Sequence, residues 1–327
     1  MIDIFSLLKD TGAYKTVYSD KINGTLSHAY LFISPDGENL KEYLKVFARL
    51  MCCEEIEPCG KCRTCKLIDG ENFSDVLIYP KNGESVLSED VVSLIEESYL
   101  KPIEIDKKIF ILSNAESMNA QAQNKLLKTL EEPPQNVHIL IGATSEYPLL
   151  STVKSRVKKL EISAFSKEKL FNALTNECAD SERLLSAINC GDGTVGKALA
   201  LYRDENLATA MELAVDLIVN MKSSANVLDY SVKISALKID VTEFLSVLEL
   251  LFRDMLVYMQ GKDDLVVNKG VIDKIKKIDG YSTGAVINAL EKIGESRLRK
   301  KFNQSGTMLI EWLLFQILEG KYKWQKL

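Results

Sequence analysis

The sequence predicts an α/β fold, a parallel sheet covered by helices, followed by a wholly helical remainder. Three observations carry this. The runs "KKIFIL" (107–112) and "NVHILIGAT" (136–144) are near-continuously apolar. Strands of that kind are buried on both faces, as in a parallel sheet between helix layers. Up to about residue 162 short apolar runs alternate with helical stretches, and from about 208 onward only helical patterns remain.

The elements follow in order. "HAYLFIS" (28–34) reads as a strand that leads into helical "NLKEYLKVFARLM" (39–51). "SDVLIYP" (74–80) is the next strand. Ser88 is placed to N-cap "EDVVSLIEESYL", in which Val91, Val92, Leu94, Ile95, Ser98 and Tyr99 cluster on one side. Strand 107–112 is followed by "NAQAQNKLLKTLEEPP", a helix that two prolines stop. Strand 136–144 and "KKLEIS" (158–163) close the pattern. Ser166 then caps "KEKLFNALTNE", and "SERLLSAINCGDGTVGKALALY" gives two short helices around a Gly-rich turn. In "TEFLSVLELLFRDMLVYM" (242–259), Phe244, Leu248, Leu251, Met255 and Tyr258 or Met259 form one helical stripe. "TMLIEWLLFQIL" (307–318) is apolar on most sides and is expected to be sandwiched. There is no internal repeat and no low-complexity linker.

The totals bound the function. A chain of 327 residues makes two or three domains and needs no staples for its core. A formal net charge of −5 gives no bulk attraction to nucleic acid. "MIDIFSLLKDTG" has neither the basic nor the long apolar region of a secretory signal, and no run reaches the ~18 apolar residues of a membrane span. A cytosolic protein is expected, and its seven cysteines should be thiols or metal ligands rather than disulfides.

Three stretches bear on chemistry. In "CCEEIEPCGKCRTCKL", Cys59, Cys62 and Cys65 have C-x2-C-x2-C spacing with Cys52 and Cys53 just upstream. Four thiolates make a closed tetrahedral Zn²⁺ site, whose role is structural because no coordination position stays open. An iron–sulfur cluster would want a further Cys shortly after the third, and "CKLIDGEN" offers none, so zinc leads. In "LFISPDGENLKEY", where a strand turns into a helix, a phosphate-binding loop would read G-x-x-x-x-G-K-[ST]. Here Ser34 and Asn39 stand in place of the glycines, Leu40 in place of the Lys and Lys41 in place of the Ser/Thr; Gly37 alone remains. At the end of strand 107–112, where a nucleotide hydrolase carries a Mg²⁺-binding Asp, stand Ser113 and Asn114.

"LSHAYLF", the cysteine cluster, "NAQAQNKLLKTLEEPP" and "ATSEYPLLSTVKSRV" together resemble the bacterial clamp-loader AAA+ subunits of DNA polymerase III. The resemblance covers roughly residues 1–200, and the helical last third agrees in character with that family's collar. It implies a RecA-like AAA+ domain with a zinc module near 52–66 (1–163), a small helical lid (164–207) and a helical collar that oligomerises (208–327). The family's hydrolysing subunits keep both the Lys of the loop and the Asp-Glu of the strand end. Their double loss here resembles the member that closes one end of the pentameric loader without hydrolysing ATP. The resemblance puts the zinc ligands at Cys53, Cys59, Cys62 and Cys65, with Cys53 rather than Cys52 on the ligand position. It implies no ATP in the chain's own site. The family's Ser-Arg-Cys motif corresponds to Ser155-Arg156-Val157, so Arg156 is expected to reach a neighbour's ATP as an arginine finger. Implied partners are the ATP-hydrolysing subunits and the delta subunit, with the sliding clamp and primer–template DNA reached through the complex.

Two other readings stay open at this level: an ATP-hydrolysing subunit with a divergent loop, and a zinc-dependent nucleic-acid-binding protein acting alone. Thr144 falls on the family's sensor position and is expected only to pack or hydrogen-bond; Lys197, near its second sensor, is expected to be idle or solvated. His28 and His138 have no Cys or acidic partner at catalytic spacing and are read as structural. The basic run "RLRKK" (297–301) is read as a solvated helix face rather than a nucleic-acid contact.

Overall fold

The structure, a computed structural model, describes residues 2–83, 85–237, 239–268, 281–301 and 305–323. The chain divides into two compact units, Met1–Glu177 with Gly193–Gly196, and Cys178–Asp192 with Lys197–Leu327.

The first unit contains helices α1 (Ile4–Leu8) and α2 (Gly12–Ile22), strand β1 (Ala29–Ile33), helices α3 (Leu40–Cys52) and α4 (Arg63–Asp69), then β2 (Val76–Tyr79), α5 (Ser88–Ser98) and β3 (Lys108–Leu112). There follow α6 (Ala120–Glu131), β4 (Val137–Ala143), α7 (Ser151–Lys154), β5 (Lys158–Glu161) and α8 (Lys167–Leu174). The five strands form one sheet in the order β2-β3-β4-β1-β5, and every neighbouring pair is parallel. Leu31 pairs with Ile141, and Phe110 with Ile139.

Alternation along the strands divides the core. Ala29, Leu31, Phe110, Leu112, Ile139 and Ile141 face Leu94 of α5 and Leu126 and Leu130 of α6. Tyr30 and Phe32 point the other way, where the Phe32 ring lies 4.2 Å from that of Phe47 on α3. With both faces covered, period-two polarity vanishes from the sequence. Gly142 permits the closest approach on the α3 side, since a Cβ there would stand 2.8–2.9 Å from Leu44 and Leu40.

The expected Ser88 cap is corrected. Ser88 is the first residue of α5, and Asp90 does the capping: its carboxylate accepts the Leu87 N–H at 3.0 Å and the Lys81 N–H at 3.2 Å. Ser166 caps α8 as read, accepting the Lys169 N–H. Sequence reading did not find α1 and α2.

The second unit begins with α9 (Ser181–Cys190). The first residues of α10 (Val195–Arg203) belong to the first unit and the rest to the second. Helices α11 (Glu205–Asn220), α12 (Ser224–Ala236), α13 (Val241–Met259), α14 (Thr283–Lys301) and α15 (Gly306–Lys323) follow. Phe244, Leu248, Leu251 and Met255 are buried as the stripe requires, among Leu217, Val286, Ile293 and Leu314. Helix α15 packs against α12 and α14, while its Met308 and Phe315 stay exposed, so its burial is not all-round.

Candidate functional site

The degenerate loop, the end of β3 and the end of β4 converge. Gly37, Glu38, Leu40, Lys41, Pro80, Ser113, Asn114, Glu116 and Thr144 line one cavity of about 480 Å³. This is the crevice beyond the carboxyl ends of parallel strands, the usual place for a ligand in an open α/β sheet. Its groups are committed elsewhere. Leu40, which stands where a loop Lys would, is buried against the sheet. Lys41 pairs with Glu71 at 2.8 Å. The Ser113 hydroxyl donates to the Tyr79 carbonyl at 3.1 Å. Asn114 adopts a left-handed backbone conformation (φ 60°), which Asn tolerates better than most residues. One oxygen of Glu116 accepts the Thr144 N–H at 2.8 Å and the Thr144 hydroxyl. The other, Oε2, is buried with no hydrogen-bond partner among the described residues. Among the described residues Lys41 is thus the only cation lining the cavity, against Glu38 and Glu116.

The loop itself holds a carboxylate that sequence reading passed over as part of a turn, "SPDG". Asp36 is only 4% exposed. Its Oδ1 accepts the N–H and the side-chain amide of Asn39, at 3.3 and 3.0 Å, at the entrance to α3. Its Oδ2 accepts the Tyr43 hydroxyl at 2.5 Å and the N–H groups of Val195 and Gly196 at 2.9 and 3.3 Å. N–H groups at helix entrances are where phosphate binds in nucleotide folds; here an aspartate uses them.

The cysteine module lies on the α3–α4 connection. The Sγ atoms of Cys53, Cys59, Cys62 and Cys65 all lie within 4.8 Å of one another. Cys53 is 3.7 Å from Cys59 and 4.0 Å from Cys62. A tetrahedral Zn²⁺ with bonds of about 2.3 Å separates its sulfurs by about 3.8 Å, so the donor set fits that ion in type and spacing. Gly60, at φ 65°, makes the left-handed turn between Cys59 and Cys62. The Cys62 N–H points at Cys59 Sγ and the Cys65 N–H at Cys62 Sγ, each at 3.3 Å. Backbone N–H groups of Lys61 and Cys62 pull the Cys59 thiol down to about 6, whereas burial pushes the Cys65 thiol up. Cys52 lies outside the cluster, and burial pushes its thiol up to about 12.

Arg156 follows α7. Its Nη1 donates to the Thr152 carbonyl at 2.8 Å and to the Ser155 hydroxyl at 3.2 Å, and its Nη2 meets Glu131 of α6 at 2.6 Å. The Arg156 carbonyl is 3.1 Å from His28 Nε2. His138 Nδ1 lies 2.8 Å from the Ser27 carbonyl, so both histidines have backbone partners and structural places. Lys197 is ion-paired with Glu243, its side chain about one-third exposed. In the basic run, Arg297 pairs with Glu249 at 2.6 Å and Arg299 lies 3.7 Å over the Trp312 ring; the Lys301 side chain lies outside the described residues.

The family model described as DNA polymerase III, delta subunit, matches residues 10–166. The delta' subunit of DNA polymerase III from Bacillus subtilis (strain 168) is 27% identical over 316 residues, covering 94% of this chain and 95% of that one. The tau subunit from the same organism is 28% identical over 173 residues, 52% of this chain and 30% of its own length. A solved gamma subunit-related protein of Thermotoga maritima is 21% identical and covers 93% of this chain and 99% of that one, with a TM-score of 0.41, a likeness too loose to bear on the fold. The chain is thus a relative of the clamp-loader subunits of bacterial DNA polymerase III, as its motifs imply. Within that class the resemblance is to the delta' subunit. Among the described residues no helix is long and apolar enough to cross a membrane.

Proposed function

We propose that this chain is a clamp-loader subunit of the delta' kind, which takes up no ATP itself and completes the ATP site of a hydrolysing neighbour with Arg156. The observation that carries the reading is the cavity at the strand ends. Its phosphate loop has Leu40 for Lys, its strand end has Ser113 and Asn114 for the Mg²⁺-binding acid, and Asp36 already engages the Asn39 N–H at the entrance to α3. Most of what such a site contributes is charge stabilisation of a transferring phosphoryl group, and the groups that supply it are replaced. Residues 1–163 would be an AAA+ domain, 164–207 its lid and 208–327 a collar through which the subunit assembles. Cys53, Cys59, Cys62 and Cys65 would hold a structural Zn²⁺, and the delta subunit, the sliding clamp and primer–template DNA would be met in the complex.

Arg156 is about one-third exposed, and its partner Glu131 is about half exposed. A pair so accessible is worth at most about 1 kcal/mol, so a neighbour's γ-phosphate can take the guanidinium from it. The planar, permanently charged fork suits that target.

The test has two arms. Isolated protein titrated with labelled ATP should show no micromolar, Mg²⁺-dependent binding; finding it would overturn the inactive-site reading. In the loader reconstituted with its ATP-hydrolysing subunits, Arg156→Ala should remove the share of DNA-dependent ATP turnover due to one site. A finger in trans is worth about 10³-fold or more there, and clamp loading should fall further than total turnover. Arg156→Lys should rescue poorly. Wild-type turnover and loading with Arg156→Ala would make Arg156 a surface charge.

A further inference from the structure

The cysteine module has a cation with no carboxylate partner among the described residues. Lys21 lies in the last turn of α2, and its ammonium donates to the carbonyls of Cys53 at 2.9 Å, Glu55 at 2.7 Å and Ile56 at 3.5 Å. An ammonium has three donors, and here all three go to one loop, the loop between the first cysteine of the cluster and the second. Among the described residues Lys21 makes no ion pair with a carboxylate. The acids nearest in sequence to the loop carbonyls are engaged elsewhere or are not bonded to Lys21: Glu57 pairs with Lys9 at 2.9 Å. Another lysine, Lys107, reaches the Met51 carbonyl at 3.4 Å and pairs with Asp106.

Half-buried and without an ion pair to a carboxylate among the described residues, a lysine charge is costly unless a negative charge stands near. Four thiolates around one Zn²⁺ carry a net charge of −2. Cys53, the cysteine whose carbonyl Lys21 grips, is one of the four. We propose that Lys21 is a positioning residue of the tetrathiolate metal centre: it clasps the Cys53–Ile56 turn so that Cys53 faces the other three sulfurs, and its charge offsets that of the loaded centre. The proposal rests on the zinc reading above, and it assigns to α2 a task besides packing.

The test uses the full chain, with zinc as the only added metal. Wild-type protein, Lys21→Met and Lys21→Arg are compared for zinc affinity by chelator competition, and for melting temperature with zinc bound and after zinc removal. Substituting an outer partner of a metal site commonly weakens the metal by about 10–100-fold. Lys21→Met is expected to fall in that range, to lose more melting temperature with zinc than without it, and to keep its β-sheet. Lys21→Arg is expected to hold zinc within a few-fold of wild type. Equal losses with and without zinc would make Lys21 an ordinary packing residue, and unchanged affinity in Lys21→Met would remove its role. A wild-type chain that binds no zinc would overturn the zinc reading itself and this proposal with it.

Discussion

Replacing Asp36 should be among the most damaging polar substitutions in the first unit. The carboxylate accepts five hydrogen bonds, and three of them reach groups with no route to water. Tyr43 is fully buried, and so is Val195. Asp36→Ala leaves the Tyr43 hydroxyl and the Val195 N–H without partners at about 1–3 kcal/mol each. Some relaxation is available, because Asn39 lies at the exposed rim and can turn to solvent. The expected loss is therefore about 2–6 kcal/mol, large against the 5–15 kcal/mol that holds a typical domain together. Asp36→Asn separates chemistry from volume. The amide keeps the shape but replaces one acceptor by a donor. Whichever way it turns, its NH₂ faces donors: Asn39 on one side, Val195 and Gly196 on the other. It should cost about 1–3 kcal/mol for that reason alone. Because the chain has two units, a single melting curve can blur the effect. Hydrogen exchange reads it locally: a loss of about 3 kcal/mol should cut amide protection at Val195, Gly196 and Tyr43 by about 100-fold. Protection unchanged within a factor of two in both variants would refute the reasoning and make Asp36 incidental to the loop.

The two adjacent cysteines should separate cleanly. Cys53→Ser should lower bound zinc to well under one equivalent, while Cys52→Ser, outside the cluster, should keep it; elemental analysis of natively purified protein reads both. The reverse result would put the ligand one residue upstream. Burial holds the His138 imidazole below the ordinary histidine range. Its folded value lies under the unfolded one near 6.5, so its contribution is complete above about pH 6.5 and is lost as pH falls through the folded value. Denaturation midpoints should drop between pH 7 and 5.5, and His138→Gln should flatten that slope; an identical slope in the variant would show that His138 does not cause it.

What was legible in the sequence was what local pattern determines. Strands β3 and β4 announced themselves because both faces are buried and no polar alternation interrupts them. The cysteine cluster announced itself because two-residue spacing is itself a geometric statement. Helix α2 was missed because it buries only Ala13, Tyr14 and Val17 of its eleven residues, too few to draw a stripe. A hydroxyl before a helical run usually caps it, which is what Ser88 suggests; Asp90, two residues inside the helix, reaches back instead. Lys21, Glu131 and Asp36 carry no local signal, because each acquires meaning from atoms distant in the chain.

Asp36 also shows why an altered loop need not be a damaged one. A phosphate loop without phosphate leaves N–H groups at a helix entrance without an acceptor, and buried donors of that kind are costly. Loss of the loop Lys and glycines alone would leave this cost in place. A carboxylate within the loop offers an acceptor to the Asn39 N–H there, and it also accepts the Val195 and Gly196 N–H groups at the start of α10. The same carboxylate would repel an incoming triphosphate, as would Glu38 and Glu116 in the adjoining cavity. On the proposed reading, restoring Lys at position 40 would not by itself restore nucleotide binding. The lysine would have to displace a buried leucine, and the phosphate would still have to displace an anion that is already covalently part of the chain.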